Sequence, residues 1–235
     1  GTGENIQKAN KLALHMLVGQ ISVQVESAFT HSIKENEFSG DISGYTFKEK
    51  VRSMVKTYSN TTLHNARRII VSNEPRATVF RFIKKENVDR LFKNRRNKIL
   101  DFAENAGEAV EENRIGDGLR YYYWALILLK SHPDCNSIDY RDRDGDNHLL
   151  ISWLPMQIDR VLSGINFHVV DQIKKTKIKK VLLQITYNGN IVGNLDYSYW
   201  GGDQWTNLFH VKDGRGILEF YGVAAKQKSQ ARIRV

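Results

Sequence analysis

The residues with chemical potential are few and widely spaced. The single thiol, Cys135, follows His132 by three residues in Ser131-His132-Pro133-Asp134-Cys135. A nucleophilic cysteine needs a base that the fold holds within hydrogen-bond reach, and sequence neighbours across a proline seldom meet that geometry. The seven histidines (His15, His31, His64, His132, His148, His168, His210) lack the short spacings of a metal site. No Gly-x-Ser-x-Gly, His-Glu-x-x-His, P-loop or dinucleotide fingerprint is present. The expectation is a protein that is not an enzyme, with no catalytic, metal or cofactor-binding residues.

Two kinds of charged segment stand out. Asp142, Asp144 and Asp146 surround Gly145, and short acidic loops of this type can offer oxygen ligands to calcium. Read as an EF-hand loop from Asp142, position six is Asn147 instead of glycine and position twelve is Trp153 instead of glutamate. The alternative is an Asp-Gly turn leading into a helix, and the sequence leaves both open. The second kind is basic: Arg90, Lys93, Arg95 and Arg96 in one cluster, and Lys174, Lys175, Lys177, Lys179 and Lys180 in another. These nine residues are the candidate partner surface. The lysine run suits the exposed side of an edge strand, where it discourages aggregation, and equally an anionic surface. Nucleic acid is the alternative partner. Aromatic residues interleaved with the charges, which single-strand binders use for stacking, are missing apart from Phe92.

The elements that must carry these residues follow from hydrophobic period. The 235 residues are 41% hydrophobic and 26% charged, with one cysteine and a net charge of +9. That composition excludes a disulfide-stapled miniprotein, and no run reaches the ~18 apolar residues of a membrane-spanning helix. Lys and Arg exceed Asp and Glu by 11 to 7 over residues 1–83, fall to 13 against 14 over 84–164, and lead by 11 to 5 over 165–235. Ile6, Ala9, Ala13, Met16 and Leu17 have helical spacing, and Ile21, Val23 and Val25 then alternate as in a half-buried strand. Thr46 with Glu49 makes a capping box for a second helix through Tyr58. Arg67 to Val71 and Ala77 to Ile83 read as a hairpin.

The run Gly1-Thr2-Gly3, then Ala9 and Ala13-Leu14, ending in Gln20-Ile21-Ser22-Val23-Gln24-Val25-Glu26-Ser27, resembles the bacterial lipoprotein family called Lpp-twenty over about residues 1–85. The resemblance implies a membrane-associated module of the cell envelope, on the periplasmic side or surface of the outer membrane. It carries over no catalytic residue, and it implies a lipid anchor that would precede Gly1.

Further along, Val88 to about Glu112 reads as a long helix, Asn113 to Gly118 as a glycine-bearing turn, and Leu119 to Lys130 as a second helix. Leu119, Tyr123, Trp124 and Leu126 are expected in the core. A third helix begins near Leu149, and beyond Gly164 short β runs take over. Asn188-Gly189 is a strong hairpin signal. The chain stops inside the strand-like run Ala231 to Val235, as a β-domain cut short would.

The expected architecture is therefore α+β: an α+β lipoprotein-like domain over 1–84, a helical segment packed on it over 85–164, and a small antiparallel β-sandwich of immunoglobulin-like type over 165–235. The expected function is a non-enzymatic cell-envelope module that binds another protein or itself, with outer-membrane assembly as the expected setting. The alternative is a basic nucleic-acid-binding protein.

Overall fold

A computed structural model describes residues 1–17, 66–227 and 230–235. The strand expected over residues 21–25 and the helix over 46–58 lie outside the described residues. The protein is α+β, with antiparallel sheets throughout. Contacts divide it into two compact units, Gly1–Leu100 with Ala125–Ile151, and Asp101–Trp124 with Ser152–Val235.

In the first unit, β1 (Thr2–Gly3) precedes helix α1 (residues 6–17) and joins β2 (Arg67–Ser72) and β3 (Ala77–Phe82) in the order β1-β3-β2. The small residues on α1 have a direct use. Ala9 and Ala13 are buried against Ala77 and Val79, with Ile6 beside them. A side chain at Gly1 would meet the Ala13 backbone nitrogen at 2.4 Å, and one at Gly3 the Ala9 nitrogen at 2.7 Å. The Gly-x-Gly and Ala-x-x-x-Ala spacings are thus two sides of one close contact. Gly1 fixes it further, since its backbone nitrogen donates to the Val79 carbonyl and its own carbonyl accepts from the Val79 N–H.

Helices α2 (Lys85–Glu111) and α3 (Ile115–Lys130) each contribute residues to both units. The glycine-bearing turn is shorter than the sequence suggests, because Gly116 and Gly118 lie inside α3. Gly118 is there for space: a Cβ would sit 2.6 Å from Val110 Cγ2. Asn194 caps α3, its Oδ1 accepting from the N–H groups of Gly116 and Asp117 at 3.0 and 3.4 Å.

The expectation that Trp124 is core is overturned. It is 41% exposed, while Tyr122, Ala125 and Leu129 are buried and Leu119 and Tyr123 are half-buried. Successive residues turn by about 100° on a helix, so four consecutive aromatics must include one that faces outward. Trp124 instead completes an aromatic trio with Phe102 and Tyr121, with ring centroids 5.5 to 6.0 Å apart. Leu126 is buried as expected.

A short hairpin of β4 (Asp139–Arg141) and β5 (Asn147–Leu149) precedes α4 (Leu150–Gly164). The second unit then builds one sheet from β6 (Ile165–Lys175), β7 (Ile178–Tyr187), β8 (Asn190–Ile191) and β11 (Arg215–Tyr221). Its order is β11-β7-β6, with β8 folded back on β7. The β7–β8 turn carries φ angles of +47° at Asn188 and +87° at Gly189, as a I′ turn requires. A second sheet has β10 (Phe209–Lys212), β9 (Asn194–Tyr199) and β12 (Ile233–Arg234) in the order β10-β9-β12. A short helix, α5 (Ala224–Gln227), follows β11.

The sheets meet through two tyrosines. β11 pairs with β7 on one side, which leaves the N–H and C=O groups of Ile217 and Glu219 pointing the other way. The Tyr197 hydroxyl accepts from the Ile217 N–H at 2.7 Å and donates to its carbonyl at 2.6 Å. Tyr199 does the same at Glu219, at 2.7 and 3.0 Å. Each phenol thereby takes the place of a neighbouring residue on a strand. Phe167, Phe209 and Phe220 pack around them with centroids 5.5 to 6.0 Å away.

Two outcomes follow. Tyr197→Phe keeps the ring but strands two backbone groups of Ile217, so it should cost about 1–3 kcal/mol, read as a lowered Tm in a circular dichroism melt. Trp124→Ala should cost less than the ~3–5 kcal/mol of a fully buried aromatic truncation in the same assay.

Candidate functional site

The basic residues do not form one patch. On α2, Arg90, Lys93 and Arg96 recur every three residues and are exposed. Arg90 donates to Asn87 Oδ1 at 2.7 Å. Arg95 departs from the expected partner surface, being only 2% exposed. Its guanidinium donates to the Ser131 carbonyl at 2.5 Å and Oγ at 3.3 Å, and stands 5.4 Å from the Phe92 ring. The reason is helical geometry, since at about 100° per residue Arg95 is turned about 200° from Lys93, onto the face opposite the exposed one. Arg95 thus serves the first unit's interior, where a buried charge must be held by acceptors.

His132 and Cys135 also lie in that interior. The Asp134 N–H donates to His132 Nδ1 at 3.0 Å, which leaves the proton on Nε2 to meet the Phe92 carbonyl at 3.1 Å. Both ring nitrogens are therefore occupied in the neutral form. Burial lowers the His132 pKa, and it raises that of the buried Cys135 thiol, which contacts Asn136 Oδ1 at 3.6 Å. Burial thus favours the neutral thiol, and the imidazole's two nitrogens are both engaged.

The acidic loop is closed by its own hydrogen bonds. Asp142 accepts from His148 Nε2 at 2.7 Å and from the Asp146 N–H at 2.8 Å, and the bond from His148 keeps its carboxyl below the usual range. Among the described residues, no group of three or more His, Cys, Asp and Glu side chains could hold a metal ion.

The lysine run occupies a hairpin at the margin of the second unit. Lys174 and Lys175 end β6, Lys177 lies in the turn, and Lys179 and Lys180 begin β7. β6 is the last strand of its sheet among the described residues, and every residue from His168 to Lys175 is exposed. A bulge between Val169 and Asp171 interrupts its register with β7. Val169, Val170 and Ile173 are 54%, 66% and 44% exposed. Lys180 has an acidic partner on β11. Its ammonium meets Glu219 Oε1 at 2.5 Å, and that hydrogen bond raises its pKa and lowers that of Glu219.

Glu219 leads to a site the sequence did not announce. Beyond β9, the chain runs through Gly201-Gly202-Asp203-Gln204-Trp205 before returning as β10, and this loop borders a cleft of about 830 Å³. Trp205 and Phe209 give it aromatic surface, with Tyr199 buried behind them, while Glu219 and Tyr221 bring polar atoms from β11. The Tyr221 hydroxyl donates to Glu219 Oε2 at 2.7 Å. The guanidinium carbon of Arg234 on β12 stands 4.2 Å from the Trp205 ring centroid, a cation–π distance. The only sequence signal was a glycine pair beside clustered aromatics, which reads as a turn and nothing more.

No family model, curated protein or solved structure matches this chain. Among the described residues, no helix is long and apolar enough to cross a membrane.

The buried histidine gives a pH test. Its folded pKa lies below the unfolded value of ~6.5, so between the two the unfolded chain binds more protons. The His132 contribution is fully present above ~6.5 and is lost as pH falls toward the folded pKa. Melts from pH 7.5 down to pH 5 should show a smaller loss of Tm for His132→Gln than for the wild type, whatever their difference at neutral pH.

Proposed function

We propose that this chain is a non-enzymatic module of the bacterial cell envelope that binds another protein along the outer edge of β6. The reading places it among membrane-associated lipoproteins, with the anchor outside the residues described, on the resemblance carried by Gly1 to Ser27. It also takes residues 165–235 as an immunoglobulin-like sandwich, supported by the two antiparallel sheets that Tyr197 and Tyr199 link.

The observation that carries the binding function is the β6–β7 hairpin. An exposed strand edge with apolar side chains is a template for an added strand, which gains main-chain hydrogen bonds from the edge and specificity from alternate side chains. Lysines and a bulge on such an edge are the devices that stop indiscriminate pairing. Here they also select. Two copies of the same lysine-bearing edge repel one another, whereas an extended segment with acidic flanks gains from Lys174, Lys175 and Lys177. This favours a different protein over self-association.

The basic residues favour nucleic acid less. Arg95 is buried and Lys180 is engaged by Glu219, which removes two of the nine cations from any phosphate-binding surface. A photoreactive residue at Val170 should cross-link one discrete protein in the native cell, and Lys174→Glu with Lys175→Glu should abolish that adduct while leaving Tm unchanged. Mixed DNA and RNA should bind no tighter than on the order of 10⁻⁴ M at ~0.15 M salt. Submicromolar nucleic-acid binding with a steep salt slope, or an adduct indifferent to charge reversal, overturns the reading.

A further inference from the structure

The cleft beside Trp205 has a chemistry of its own, independent of the β6 edge. Its volume of about 830 Å³ falls within the roughly 300–1,000 Å³ of small-molecule sites. Three classes of ligand can be weighed against its lining. An anion such as a phosphate or carboxylate needs cationic donors, and the described residues that line the cleft include no lysine or arginine. A cation is the next choice for aromatic rings beside carboxylates. That role is already taken within the chain, since Arg234 occupies the cation–π position on Trp205 and Lys180 balances Glu219. The remaining class is neutral and richly hydroxylated.

The lining suits such a ligand in both its parts. A pyranose ring has an apolar face of C–H bonds and an edge of hydroxyls that both donate and accept. The half-buried rings of Trp205 and Phe209 offer flat apolar surface for the first. For the second, Asp203 is an acceptor, and the amides of Gln204 and Asn207 supply a donor and an acceptor each. We propose that this cleft binds a neutral saccharide, with aromatic rings against its C–H faces and the Asp203, Gln204 and Asn207 side chains on its hydroxyls.

The test is titration of the whole chain with neutral oligosaccharides, using chitotetraose, maltotetraose, cellotetraose and mannotetraose as probes, followed by calorimetry and tryptophan fluorescence. At least one should bind with Kd on the order of 10⁻³ to 10⁻⁵ M and perturb the fluorescence. Asp203→Ala and Asn207→Ala alter exposed loop residues, and each should weaken that binding at least tenfold at an unchanged Tm. Trp205→Ala should abolish it, but its packing against Trp200 and Arg234 makes the two loop variants the deciding ones. The proposal is overturned if none of the four sugars binds, if binding survives undiminished in both loop variants, or if tetramethylammonium or glucose 6-phosphate competes more strongly than the sugars.

Discussion

The second unit depends on how the free side of β11 is satisfied. A strand edge inside a folded unit cannot leave its N–H and C=O groups unpaired without losing a large part of the energy that pairing its other side gains. Most sheets answer with another strand. Here Tyr197 and Tyr199, two residues apart on β9, present their hydroxyls to Ile217 and Glu219, two residues apart on β11. The match of spacings is what strand geometry supplies, because alternate residues share a face on β9 and alternate backbone groups share a side on β11. Burial raises the pKa of both phenols, so both stay protonated and able to donate as well as accept.

That device explains which parts of the fold were legible in the sequence. Elements governed by local rules were readable: the Asn188-Gly189 turn, the β2–β3 hairpin and the long α2 helix all follow from period and turn chemistry. The α+β class followed from them. The link between the sheets was not readable, because Tyr197 and Tyr199 look like ordinary alternate strand residues and their partners lie 20 residues away. Gly116 and Gly118 misled for a related reason. Glycine signals a turn when the backbone alone decides, but at Gly118 the decision belongs to Val110 on another helix. Trp124 misled because size suggested burial, whereas rotation about the helix put the ring outside.

Charge was legible as composition and not as surface. The two basic runs were visible, yet Arg95 was counted with its neighbours on α2 when its direction made it an interior group. A helix separates residues that sequence places side by side, and a strand does so by alternation. The lysines of the β6–β7 hairpin escape this difficulty because both sides of β6 from His168 onward are exposed, so neither phase of the alternation hides them. The position of β6 at the margin of its sheet among the described residues then gives those charges a physical role, protecting an edge that would otherwise pair without selection.

The cleft inherits its shape from the same tyrosine link. Tyr199 and Glu219 both line it, and the Tyr199 hydroxyl holds Glu219 by its backbone, so the bond that completes the β11 edge also sets where that carboxylate stands. The loop between β9 and β10 is tied in turn to Tyr199. Its backbone N–H donates to Thr206 Oγ1 at 3.1 Å, its carbonyl accepts from the Thr206 N–H at 2.9 Å, and the Gly201 N–H bonds the Gln204 carbonyl at 2.9 Å. A surface loop of this length would ordinarily have to be ordered when a ligand binds, at a cost in conformational entropy taken from the affinity. Fastened at Tyr199 and braced by the Trp200–Trp205 contact, this one is largely ordered beforehand. The polar groups of Asp203 and Gln204 sit on that braced loop, so the rigidity that holds the two sheets together extends to the residues that would meet a ligand.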